Sequence, residues 1–126
     1  MSSIKEIMDK KVVAVSRKIT LPAVCKILIK NRLSGVPVID EKKNLVGFIS
    51  ERDIIAAIGK GITLNSKAGE VMVKKVVSVK EGASAEEASQ AFTANPYRYL
   101  PVTQKKKIIG IISRKDVIEK LLGQYY

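Results

Sequence analysis

The sequence predicts an α+β fold: two copies of one β-α-β-β-α unit, related by a pseudo-twofold, with helices flanking small sheets. Three observations predict it. The chain has 126 residues, 46 % of them apolar and 28 % charged, which is room for one compact domain, or two very small ones of about sixty residues, with a core to bury. The chain is also written twice. Shifted by 64, Glu6, Met8, Val12, Val13 and Val15 meet Glu70, Met72, Val76, Val77 and Val79, and Pro37-Val38 meets Pro101-Val102. With one residue dropped from the second intervening turn, Gly47, Ile49, Ser50 and Asp53 then meet Gly110, Ile112, Ser113 and Asp116. Lastly, each copy alternates short strand-like runs with helical spacing in the same order. Two repeats are too few for a solenoid and should pack as a pair, residues 1–60 and 61–126.

The elements follow in order. Val12 to Val15 is a short β-branched run. Thr20 offers an N-cap with Pro22 tolerated in the first turn, and Leu21, Val24 and Leu28 then line one buried helix face. Val36 to Ile39 and Leu45 to Ile49 form a hairpin over Asp40–Asn44. A helix over Arg52–Ile58 closes the half, stopped by Gly59. Gly59 to Gly69 reads as a linker. In the second half Ser84-Ala85-Glu86-Glu87 is a capping box ahead of Ala88, Ala91 and Phe92. Leu100 to Thr103 and Ile108 to Ile112 form a second hairpin over Gln104–Lys107, and a helix over Lys115–Leu122 stops at Gly123.

Composition excludes several kinds of chemistry. There is one cysteine and no histidine, so a zinc site of Cys and His ligands, an intramolecular disulfide and a His-dependent triad are ruled out. No apolar run approaches the roughly 20 residues of a membrane span and the N-terminus lacks a signal peptide's apolar stretch, so a cytoplasmic location is expected. The net charge is +11, spread evenly: 12 basic and 6 acidic residues in 1–63, 11 and 6 in 64–126. An evenly basic chain expects anionic partners.

Two tetrads stand where chemistry would live: Ser50-Glu51-Arg52-Asp53 and Ser113-Arg114-Lys115-Asp116. Each follows a strand ending in Gly-x-Ile and opens a helix. Ser-x-x-Asp at a helix start is close to a capping box. The same turn also aims free N–H groups and the positive dipole end at one spot, which favours phosphate, with Arg52 or Lys115 adding charge. A carboxylate there suits the hydroxyl pair of a ribose. Both readings stand on the residues alone. A second recurring element is Ser34-Gly35-Val36-Pro37-Val38 against Arg98-Tyr99-Leu100-Pro101-Val102, where a small residue or a proline-fixed backbone lets a flat base approach main-chain groups and Arg98 adds a phosphate binder.

Two halves, each with Ile/Val-Met ahead of a β-branched run, then Gly/Tyr-h-Pro-Val, then Gly-h-Ile-Ser-x-x-Asp (h apolar), resemble a tandem pair of CBS (cystathionine-β-synthase) domains, a Bateman module, over residues 4 to about 122. The chain is similar to the small stand-alone CBS-domain proteins. The resemblance implies a regulatory module, not an enzyme, that binds adenosine derivatives (AMP, ADP, ATP, S-adenosylmethionine, sometimes NAD) in two clefts between the repeats. It implies one site from Val13, Ser34, Gly35 and Val36 with Ser113, Lys115 and Asp116. The other would unite Val77, Arg98, Tyr99 and Leu100 with Ser50, Arg52 and Asp53. Asp53 and Asp116 would hold ribose, and Ser50, Ser113, Arg52, Lys115 and Arg98 would face phosphate. Asp9 and Val73 stand where many members have Thr, and Tyr99 replaces the small Gly35, so the two sites are expected to be unequal, with the Arg98/Asp53 site favoured for a phosphorylated ligand.

Other residues carry plainer expectations. Cys25 is a small core residue, Glu86-Glu87 an acidic first turn and Lys105-Lys106-Lys107 a solvated charge run. Tyr97-Arg98-Tyr99 is too little for a base-stacking platform. Ile54 to Ile58 and Val117, Ile118, Leu121 and Leu122 are more apolar than one small core needs, which suggests a homodimer or a helix sandwiched between the halves. An effector protein is the other expected partner. Two alternatives to the nucleotide reading are a basic nucleic-acid-binding module and a dimerisation module with vestigial pockets.

Overall fold

The computed structural model describes residues 3–123. The chain packs as two compact units. The first lobe is Val13–Val76; the second takes the residues up to Val12 together with those from Val77 onward. Each repeat thus lends the segment ahead of its first strand to the other lobe. The sequence repeats, 1–60 and 61–126, and the packing units are different divisions of the chain.

In the first lobe the order is β1 (Val15–Ser16), α1 (Leu21–Asn31), β2 (Gly35–Ile39), β3 (Leu45–Ser50), α2 (Glu51–Gly59) and α3 (Ala68–Val71). The sheet order is β1-β2-β3, with β1 parallel to β2 across the α1 crossover and β2 antiparallel to β3. Pro37 lies in the central strand, where a missing N–H is normally harmful. Here β1 joins only at Val38, so at Pro37 the strand has a neighbour on one side alone. Val36, Val38 and Ile49 are fully buried with Leu21 and Val24 of α1. Cys25 packs at the edge of this core, as expected of a small apolar residue.

Three local expectations are corrected. Thr20 makes no side-chain cap, because it bridges Lys67 and the Leu21 N–H donates to the Ser66 carbonyl at 3.1 Å instead. Gly59 ends α2 in helical geometry, and the left-handed residue is Gly61 (φ 91°); Gly123 likewise has φ −57°. The stretch from Gly59 to Gly69 is packed: Ala68 is fully buried, its N–H donates to the Ile19 carbonyl, and the Gly69 N–H donates to that of Arg17. Gly69 lies so close to Arg17 that an added Cβ would sit 3.1 Å from its carbonyl oxygen.

The second lobe opens with a 3-10 turn at Ile4–Glu6 and continues with β4 (Val79–Lys80), α4 (Ala85–Ala94), β5 (Tyr99–Gln104), β6 (Lys107–Ser113) and α5 (Arg114–Leu122). Its sheet repeats the plan, β4-β5-β6, with β4 parallel and β6 antiparallel to β5. Ser84 Oγ accepts from the Glu87 N–H at 3.1 Å, the expected capping box. Ile4 is fully buried among Val79, Phe92, Leu100 and Ile112, and its N–H donates to the Ala83 carbonyl at 2.9 Å. Asp9 exchanges both backbone hydrogen bonds with Ile111, as Val73 does with Phe48 in the first lobe. Each donated segment therefore adds a bridge to the outer strand of its host sheet and seats a methionine, Met8 or Met72, on a glycine of that strand.

Candidate ligand-binding site

Each lobe builds one strand-to-helix turn, and the serine opens it. At the first, the Ser50 N–H donates to Asp53 Oδ2 at 2.9 Å, the Ser50 hydroxyl donates to the same oxygen at 2.8 Å, and the Asp53 N–H donates back to Ser50 Oγ at 3.2 Å. At the second, the Ser113 N–H donates to Asp116 Oδ2 at 2.9 Å and the Asp116 N–H to Ser113 Oγ at 3.0 Å. Both are complete capping boxes. The cap engages only one carboxylate oxygen: among the described residues Oδ1 of Asp53 and of Asp116 has no partner. Each half-buried carboxylate therefore keeps an acceptor for a hydroxyl pair while it caps its helix, so capping and ribose binding are compatible.

The turns differ in one proton. Ser50 spends its hydroxyl hydrogen on Asp53, whereas among the described residues the Ser113 hydroxyl only accepts. It retains a donor for an anionic oxygen.

The strand entrance adjoins the turn within each lobe. Gly35 pairs with Ser50 and Tyr99 with Ser113 across the hairpin. The Glu51 N–H donates to the Ser34 carbonyl at 2.8 Å, and the Arg114 N–H to that of Arg98 at 3.0 Å. One cluster thus holds Ser34, Gly35, Val36, Ser50, Arg52 and Asp53; the other holds Arg98, Tyr99, Leu100, Ser113, Lys115 and Asp116. Arg52, Arg98 and Lys115 are exposed, and Lys115 lies 4.0 Å from Glu119 one turn on, a weak pair. Val36 and Leu100 point into the cores, at 0 % and 1 % exposure, so they offer a ligand only main-chain groups. Val13 and Val77 are partly buried against the core of their own lobe.

Two residues were not legible as part of these turns. Arg114 Nε donates to the Tyr97 carbonyl at 2.8 Å and braces the second entrance; its only signal is that it stands where the first tetrad has Glu51. Phe48 lies over Gly35, where an added Cβ would fall 2.6 Å from the ring. Its counterpart in the second lobe is the smaller Ile111, and there the aromatic stands on β5 as Tyr99.

Duplicated three-stranded sheets with flanking helices, each sheet feeding a Ser-x-x-Asp turn, define the class: a tandem α+β module of two equivalent halves. The CBS domain family model matches residues 4–60 and 68–123, and the chain belongs to that family. It is 34 % identical over 116 residues to inosine-5′-monophosphate dehydrogenase of Methanocaldococcus jannaschii, covering 91 % of this chain and 23 % of that protein. Over 120 residues it is 26 % identical to an uncharacterized protein of the same organism, covering 95 % of this chain and 42 % of the relative. The chain thus spans less than half the length of both. Among solved structures it superposes on CBSX2 of Arabidopsis thaliana in complex with AMP, at TM-score 0.87 and 23 % identity over the whole of both chains. It also superposes on a CBS domain pair in complex with 5′-methylthioadenosine and S-adenosyl-L-methionine, at TM-score 0.81 and 24 % identity over 100 % of this chain and 99 % of the other. These two likenesses carry the fold. No helix among the described residues is long and apolar enough to cross a membrane.

Proposed function

We propose that the chain is a regulatory, non-catalytic module that binds an adenosine derivative: AMP, ADP, ATP or S-adenosylmethionine. Asp53 and Asp116 accept from ribose hydroxyls; Ser50, Ser113, Arg52, Lys115 and Arg98 face phosphate. The base lies against the main chain around Ser34, Gly35 and Val36 or Arg98, Tyr99 and Leu100, with Val13 and Val77 alongside. The observation that carries this reading is the spare Oδ1 on each capping aspartate, present twice in equivalent turns. The AMP and S-adenosyl-L-methionine complexes of structural neighbours support the ligand class. Ligand binding acts by population shift, favouring one arrangement over another. The signal passes to an effector protein through a homodimer, located in the cytoplasm. Equivalent exposed residues support that dimer: Ile55 and Ile118 are 69 % and 54 % exposed at matching helix positions, beside Ile58 and Leu122.

The test is thermal unfolding against AMP, ADP, ATP, S-adenosylmethionine, NAD and GTP. A ligand at about 100 times its Kd adds roughly 2.7 kcal/mol, a rise of several degrees. Asp53→Asn and Asp116→Asn are the decisive variants, because an amide oxygen still accepts at the cap while the second acceptor becomes a donor. Loss of the ligand shift with an unchanged ligand-free Tm supports ribose binding; an unaltered shift in both variants, or a flat response to the whole panel, overturns it.

A further inference from the structure

Beyond that reading, we propose that the β5–β6 hairpin end of the second lobe binds the phosphate backbone of duplex nucleic acid, without reading its sequence. The argument begins with the duplication, because the same hairpin exists in two versions. In the first lobe, Asp40 and Glu41 open the β2–β3 turn. Glu41 pairs with Arg17 at 3.1 Å and with Lys18 at 3.0 Å, the two basic residues that follow β1. Asp40 Oδ1 accepts from the Lys42 and Asn44 N–H groups, both at 2.9 Å. With Lys42 and Lys43 in the turn, that end holds four basic and two acidic side chains, and both carboxylates are engaged. In the second lobe the equivalents of Asp40, Glu41 and Asn44 are Gln104, Lys105 and Lys107, and Glu81 stands where the first lobe has Arg17, so the turn itself carries no carboxylate.

The fold gathers the resulting charge. Gln104 and Lys107 are the last pair of the β5–β6 ladder, so Lys105 and Lys106 form the tip. Lys80 pairs with Thr103 on the adjoining strand, which puts a fourth lysine at the same end of the sheet. All four are exposed. The carboxylate at this end, Glu81, is turned to Lys5 at 3.9 Å, and among the described residues none pairs with Lys80, Lys105 or Lys106. Lys105 and Lys106 also sit at φ 49° and 71°. A two-residue turn of that kind prefers Asn-Gly, which adopts the left-handed region far more cheaply. Lys43 in the first hairpin has φ 66° as well, so a left-handed lysine is common to both turns, and the second turn adds another at its tip.

The chemistry of the patch selects its occupant. None of the large exposed hydrophobics lies in this hairpin, so it lacks the aromatic and apolar anchors of a protein interface, where lysine is depleted. It equally lacks the apolar face of a membrane-surface site. Ammonium groups on flexible stems meet phosphates as point charges, and with no aromatic platform a duplex backbone fits better than unstacked single strand.

The test is fluorescence anisotropy with two labelled duplexes of unrelated sequence across a salt series. The variant Lys105→Asn/Lys106→Gly removes two charges and installs the preferred turn, so it should fold at least as well as the parent. It should make the log affinity against log salt slope shallower by about 2, shrinking the affinity lost between about 50 and 200 mM salt roughly tenfold. Lys26→Gln/Lys30→Gln on exposed α1, with the same loss of net charge, should barely move it. Equal effects of the two double variants, no saturable binding at low salt, or tighter binding to anionic phospholipid vesicles than to duplex would each overturn the proposal. Asp53→Asn and Asp116→Asn should keep duplex binding, so failure of the nucleotide reading is seen separately.

Discussion

The two lobes share one ladder and place their bulk oppositely. In the first, Gly35 leaves a space on β2 that Phe48 fills from β3; in the second, Tyr99 supplies the aromatic from β5 and Ile111 takes the Phe48 position on β6. The hairpin ends differ as well: the first turn carries Asp40 and Glu41, and the second carries three lysines and no carboxylate. Duplication thus preserves backbone register, while the side chains nearest the candidate sites and the turns diverge. Tyr99 and Ile111 together are bulkier than Gly35 and Phe48, and both stay only partly buried, so the exchange does not conserve volume.

The largest expected effect comes from breaking that exchange. Gly35→Tyr alone drives a ring into Phe48 and brings a Cβ to 3.0 Å from the Ile49 carbonyl; a loss at the upper end of about 1–3 kcal/mol is expected. Adding Phe48→Ile copies the second lobe's residues and removes the ring that the new tyrosine meets, but not the close Ile49 carbonyl. It should therefore recover part of the loss, read by urea unfolding of the two variants. No recovery would mean that the lobes are not interchangeable at this face.

Next in size is the methionine seat. An alanine Cβ at Gly110 would meet Met8 Sδ at 2.5 Å and the Asp9 carbonyl at 3.1 Å; at Gly47 it would meet Met72 and, at 3.0 Å, the Val73 carbonyl. Either Gly→Ala change should cost about 1–2 kcal/mol. Because the methionine can yield and the carbonyl cannot, Met8→Ala in the Gly110→Ala background should relieve only part of the strain, as a double-mutant cycle would report. Equal costs at the two glycines sharpen the equivalence of the lobes, and unequal ones break it.

Much of this arrangement could be read from the residues, and what was missed has a common cause. The order of elements, both hairpins and the Ser84 box follow from local periodicity and turn chemistry. The tetrads were legible as caps or as ribose acceptors, and the hydrogen bonds allow both, since the cap occupies one oxygen. The exchange of segments was not legible. Ile4, Ile7 and Met8 form a short apolar run whose partners lie some seventy or more residues away, and no local pattern encodes such a contact. The same holds for α3 and for Thr20, whose neighbour Leu21 is served by Ser66 rather than by a side-chain cap. Lys105-Lys106-Lys107 reads as ordinary solvated charge until Lys80 and the left-handed tip residues are seen beside it.

The smallest expected effect is a pH dependence confined to one hairpin. Hydrogen bonding by the Asn44 main chain, opposed by some desolvation and aided by the Asn44 side chain and the Lys42 N–H, holds the Asp40 carboxyl below its ordinary value. A hydrogen bond from its own main chain, with help from Lys18, does the same for Glu41. A carboxyl lowered on folding contributes stability above its unfolded value of about 4, and that contribution fades as pH falls through the lowered folded value. Glu41 is exposed and Asp40 only partly buried, so the contribution is small and screened by salt. Replacing Asp40-Glu41 by the Gln-Lys of the other hairpin should therefore lower Tm slightly at neutral pH and flatten its decline below about pH 5. The second hairpin carries no carboxylate at Gln104–Lys107, so changes there should leave the acid limb alone. If the Tm-against-pH curves of parent and variant stay parallel down to about pH 3, the acid sensitivity lies elsewhere and the two hairpins differ in charge but not in proton linkage.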